Sequence, residues 1–268
     1  MMIKEDGLFS KMNRSVERKI GPNAVEITSE FKNEYKQLIA TMRNFFENMN
    51  EEFDISKLKI YEENIFIFQN GPLGRLLALY TNDTILLSKR LKTKSDYVKK
   101  FVIIHELLHF LVKNDSPEIN KKIHQRSGYD LRHLDYDSVE DDIIANKVFF
   151  TYFNEGVTDW ITILILGEEF TQFFKQNEDH LKLYNLAKGL IKDVEDYFSE
   201  KEIIKDYINR GSKFLQAIHK KHGKYSIMIL SQLNKDNFDD SIEFFQTNDL
   251  KRKEELRNKL RINSKTSK

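Results

Sequence analysis

Residues 101–112, FVIIHELLHFLV, are an apolar run of core-helix length that carries His105, Glu106 and His109. Polar groups buried without partners cost roughly 2–7 kcal/mol each, so these three must share a purpose or lie on an exposed stripe. At about 3.6 residues per turn, His105 and His109 sit one above the other on one face, near enough for both rings to reach one ion. Glu106 is offset around the helix. It can therefore lie beside that ion without binding it, where a general base belongs.

A catalytic metal site needs three protein ligands and one open position. Downstream, YFNEGVTDWITILIL (152–166) offers Glu155 near the start of a second amphipathic helix, with Asp159 one turn later on the same face. Glu155 can complete a His, His, Glu set. Asp159 can hold a ligand histidine through its other ring nitrogen, which fixes the tautomer and raises basicity.

His105-Glu106-x-x-His109 is the H-E-x-x-H arrangement of zinc peptidases. Followed by Asn154-Glu155-Gly156-Val157-Thr158-Asp159, it resembles the gluzincin metallopeptidases, the clan of thermolysin and the one-zinc aminopeptidases, whose second motif is Asn-Glu-x-x-x-Asp or a close variant. The resemblance covers the two helices and, more loosely, the order of elements from about residue 58 to 223. The interval from His109 to Glu155 (155 minus 109, or 46) is longer than in the best-known members and leaves room for an inserted loop. The resemblance implies one Zn2+ per chain held by His105, His109 and Glu155, with Glu106 as base and Asp159 orienting His105.

It also implies a tyrosine or histidine that supports the oxyanion. Tyr184, at the head of the helix after the glutamate helix, looks like that residue; Tyr207 is the runner-up, and His219 and His222 stay open. The implied activity is hydrolysis of peptide bonds in a peptide or protein substrate by zinc-activated water. No Gly-x-Met-Glu-Asn string of the aminopeptidase type is present, which favours an endopeptidase. The alternative from another class is a non-catalytic, zinc-stabilised binding or regulatory module, and the intact Glu106 counts against it.

Around these motifs the expected fold class is α+β and mostly helical, zincin-like, with a small antiparallel sheet lobe, a central metal helix and a C-terminal helical lobe. Residues 1–22 are polar, broken at Gly21-Pro22, and read as a flexible arm. Residues 23–113 form the N-terminal α/β lobe, including a helix from Thr28 or Ser29 to about Met49 and the metal helix, capped by Ser95 or Asp96. Between those helices, runs rich in β-branched and aromatic residues are cut by Asn70-Gly71-Pro72 and Asn82-Asp83. They read as a small antiparallel sheet. Its final hairpin, LLALYTNDTILLS, is the candidate edge for an extended peptide.

Residues 114–138, with His124 and His133, read as a polar inserted loop, 139–250 as a helical lobe, and 251–268 as a charged tail. Ser199 and Glu202 form a capping box, Gly211 ends that helix, Ser212 opens the next and Gly223 closes it.

With 43 Lys+Arg against 42 Asp+Glu, no global field attracts nucleic acid or an acidic membrane. The absence of cysteine excludes thiolate metal sites and disulfides. The N-terminus has no apolar core of signal-peptide length and the later apolar runs, such as WITILIL, are too short to span a bilayer, so the expectation is a chain outside the membrane, cytoplasmic by default, or secreted if a signal peptide has been removed. Nothing in the composition sets an oligomeric state.

Overall fold

The apolar run at 101–112 becomes the middle of the molecule. In the computed structural model, which describes residues 24–25, 29–49, 65–68, 78–81, 84–115, 123–137, 142–223 and 225–266, it lies in helix α2 (Asp96–Val112), the second after α1 (Ser29–Asn48). Phe101 to Ile104, Leu107, Leu108 and Phe110 to Val112 are all buried, so after an exposed first turn α2 is enclosed around most of its circumference rather than along one stripe. Each large apolar side chain buried in this way contributes about 1.5–3 kcal/mol. At the C-terminal end of α2, Arg210 donates to the Val112 carbonyl at 3.5 Å, placing a cation at the negative end of the helix dipole. Helix α1 buries Tyr35, Leu38, Ile39, Met42 and Phe46, which recur at helical spacing.

The chain is mostly helical, with short strands before and after α2. Strands β1 (Ala24–Val25), β2 (Ile65–Phe68), β3 (Ala78–Thr81) and β4 (Thr84–Ser88) pair in the order β1-β2-β4-β3. Strands β3 and β4 are antiparallel, as the hairpin predicts, but β2 runs parallel to β4, so this pairing is mixed rather than wholly antiparallel. The arm at 1–22, the turn residues Asn70-Gly71-Pro72 and Asn82-Asp83, and Pro117 lie outside the described residues.

Beyond α2 come β5 (Lys113–Asp115), β6 (Ile123–Ser127), β7 (Asp130–Asp137) and β8 (Asp142–Phe149), paired antiparallel in sequence order. Much of the segment predicted as a polar loop over 114–138 is thus extended, and the helical pattern expected from Val139 begins only at Thr151. Two local features explain the difference. Gly128, at φ 57, supplies the left-handed turn between β6 and β7, and Ile143, Ile144, Val148 and Phe149 favour the pleated backbone of β8.

The rest is helical: α3 (Thr151–Leu166), a 3-10 segment (Glu168–Gln176), α4 (Glu178–Asp193), α5 (Glu200–Ile208), α6 (Lys213–His222), α7 (Ser226–Ser231), α8 (Phe238–Gln246) and α9 (Leu250–Thr266). The Ser199–Glu202 capping box forms as read, and Gly223 closes α6 at φ 87. After α5, however, it is Arg210 that takes the left-handed conformation, at φ 56, one residue before Gly211. One core joins these elements, running from Tyr35 in α1 to Leu260 in α9. Among the described residues, no helix is long and apolar enough to cross a membrane.

Helices α3 and α4 approach unusually closely. A Cβ on Gly156 would lie 2.5 Å from the Leu183 carbonyl oxygen, so only glycine fits in the α3 face that meets α4.

Candidate metal centre

Helices α2 and α3 bring the expected ligands together. One atom each from His105, His109 and Glu155 lies within 4.8 Å of the other two. His105 Nε2 is 3.0 Å from Glu155 Oε2, His109 Nε2 is 3.0 Å from His105 Nε2, and His109 Nε2 is 3.3 Å from Glu155 Oε1. Metal–ligand bonds of about 2.0–2.1 Å at a tetrahedral angle separate donor atoms by about 3.3 Å. The observed separations, with each histidine facing a different Glu155 oxygen, are within a few tenths of an ångström of that edge. Two imidazole nitrogens and a carboxylate, with no thiolate, are donors that suit zinc, so the residues present fit the group.

Exposure shows where the cluster opens. The side chains of His105 and His109 are 8% and 12% exposed, whereas Glu155 is 28% exposed. Glu106 is half-buried on α2, rotated by about 100° from His105, and is therefore beside the ligand face rather than in it.

Asp159 is fully buried behind the cluster. Its Oδ1 lies 2.9 Å from His105 Nδ1 as an ion-pair contact, and among the described residues neither atom makes a hydrogen bond of good geometry. This contact sets Nδ1 of His105 toward Asp159 and leaves Nε2 facing Glu155 and His109. Asn154, the first residue of the same motif, faces the other way: its Oδ1 accepts from the Tyr129 amide at 2.9 Å and ties α3 to the β6–β7 turn.

The residues considered for the oxyanion make other contacts. Tyr184 is buried, stacks obliquely on Phe174, and its hydroxyl accepts from Lys188 Nζ at 3.0 Å. Tyr207 is fully buried with its hydroxyl 2.6 Å from Thr158 Oγ1, and burial pushes its pKa up. His219 is exposed on α6, and His222 pairs with Asp193 at 3.0 Å beside Phe245.

The residue that sequence reasoning missed is His180, in the first turn of α4. Its Nδ1 lies 2.8 Å from Asp159 Oδ2, and its ring centroid is 6.1 Å from that of His105. Tyr184 is one turn further along the same helix face. Compared with protein-family models, curated proteins and solved structures, the chain has no match.

The charges of the metal-free cluster are interlocked. Burial opposes the imidazolium of His105, but the Asp159 and Glu155 carboxylates outweigh it and hold its pKa well above 6.5. Burial also opposes the Glu155 carboxylate, yet His109 and His105 draw its pKa well below 4.5. His180 is raised from 6.5 as Asp159 overcomes its burial. The two raised histidines stabilise the folded chain below pH 6.5, and this is lost as pH rises through their folded pKa values. The depressed Glu155 stabilises it above pH 4.5, and this is lost as pH falls through its folded value.

Chelator-treated protein is therefore expected to melt at a higher temperature near pH 6 than near pH 8. Added zinc should reverse the trend, because ligands bind metal only when deprotonated. Melting curves across this range check both signs; a chelated protein more stable at pH 8 would contradict the electrostatic account.

Proposed function

We propose that the chain is a single-zinc peptidase of the gluzincin type, acting on internal bonds of a peptide or protein. The observation that carries this reading is the convergence of His105, His109 and Glu155 from two helices, with Glu106 beside them on α2. In this reading the strands before α2, α2 itself and the helices after it correspond to the zincin arrangement. Strand β3 ends the order β1-β2-β4-β3, and an extended substrate would add along its outer edge.

Zinc at the site supplies a Lewis acid for the scissile carbonyl and lowers the pKa of water. Glu106 accepts the proton of the attacking water and returns it to the leaving amine. Asp159, 2.9 Å from Nδ1 of His105, would accept a hydrogen bond from that N–H and so keep Nε2 available as a donor to the metal. We assign support of the developing negative oxygen to His180 rather than Tyr184. With Nδ1 bound to Asp159, His180 presents Nε2 away from that contact, on a side chain that is 36% exposed; the Tyr184 hydroxyl is engaged by Lys188.

The test is cleavage of a mixed peptide library by the purified protein, with chelator and with zinc restored. Cleavage at internal bonds that disappears on chelation and returns with zinc is the expected result. Protein that holds zinc and cuts nothing in the library would favour the binding-module reading over the peptidase, and removal of terminal residues alone would favour an aminopeptidase.

A further inference from the structure

Asp159 is held by two imidazoles, one on each oxygen. Oδ1 faces Nδ1 of His105 at 2.9 Å, and Oδ2 faces Nδ1 of His180 at 2.8 Å, with the carboxylate completely shielded from solvent. A carboxylate fixed through one oxygen can still turn about its terminal torsion, which is broad for this kind of bond. A donor on the second oxygen removes that freedom. His180 is itself well placed to provide it. It stands in the first turn of α4, Phe173 packs edge-on against its ring at 5.8 Å, and the close contact at Gly156 presses α4 onto the helix that carries Asp159.

We propose that His180 is a positioning residue for the metal ligand His105, acting through Asp159, and that it sets how tightly the site holds its metal. This inference rests on the metal reading above. The chain of contacts runs from α4 through the buried carboxylate on α3 to the ligand ring on α2, so three helices fix the orientation of one donor nitrogen. A metal-binding histidine whose outer contact is loosened typically loses about 10- to 100-fold in metal affinity, and the same loss is expected when the support of that contact is removed.

Two substitutions separate the hydrogen bond from the bulk of the ring. His180→Phe keeps a ring against Phe173 and has no donor; His180→Asn places an amide N–H close to the former Nδ1. Zinc affinity is measured for wild type and both variants by competition with a chromophoric chelator, and the melting temperatures of the metal-free forms are taken in parallel. The expected result is a loss of about 10- to 100-fold in His180→Phe and an affinity close to wild type in His180→Asn. If His180→Phe does not fold, His180→Ala takes its place with the same expectation.

Wild-type affinity in the variant lacking the donor would overturn the proposal, even if its metal-free form melts lower, because that pattern marks a purely structural role. So would an equal loss in His180→Asn. A wild-type protein that takes up no zinc would overturn the metal reading itself, and this inference with it.

Discussion

Glu106→Gln is expected to keep its zinc and to lose peptide cleavage by about 10²–10⁴-fold in kcat, the usual contribution of a positioned general acid–base. The substitution is nearly isosteric and removes only the ability to take up a proton. The candidate ligands are His105, His109 and Glu155, so metal content should be unchanged. Steady-state kinetics on any peptide the wild type cuts, with zinc content measured on the same samples, decide the matter. Activity within tenfold of wild type would remove Glu106 from the mechanism.

The largest expected effect on stability lies away from the His105, His109 and Glu155 cluster, at Asp206. Its Oδ1 accepts from the Lys213 amide at 3.1 Å, and its Oδ2 accepts from the Phe214 amide and the Tyr129 hydroxyl, both at 3.1 Å. One buried carboxylate thus caps α6 and links it to the turn that Asn154 also holds. Asp206→Ala takes away the cap and a charged acceptor in the same step, a loss of about 3 kcal/mol. For a chain of this size each kcal/mol moves the melting temperature by about 2–4 °C, so a fall of about 6–12 °C is expected. Zinc stoichiometry at low temperature should not change. A shift below about 2 °C would show that other groups satisfy these donors.

What was legible in the sequence was written locally. Helix α2 and its histidine pair were legible because an apolar run fixes a buried helix and four-residue spacing puts His105 and His109 on one face. Glu155 and Asp159 were legible for the same reason, one turn apart on a second helix. The Ser199–Glu202 box needed only three intervening bonds of helix geometry. The features that escaped are those whose partners are distant along the chain. Ser212 occupies the N-cap position of α6, yet no side-chain hydrogen bond from it caps the helix; the cap comes from Asp206, across the turn through Arg210. His180 is 21 residues from Asp159, and nothing in NEDHLKLY marks it as a partner. Only the close packing of α4 on α3 at Gly156 brings the two together. Strands β6 and β7 were hidden because Ile123, Leu131, Leu134 and Tyr136 are scattered among charged and polar residues without sustained alternation, which reads as loop.

The most direct test of the central claim is the metal content of protein purified without chelator, compared with His109→Ala. His109 contributes a ligand atom to the cluster, and its loss leaves two protein ligands where three are needed. About one zinc per chain in the wild type, and little or none in the variant, is the result this account requires. Wild-type protein that carries no zinc and takes none up, or a His109→Ala variant that holds zinc as tightly as the wild type, would contradict it.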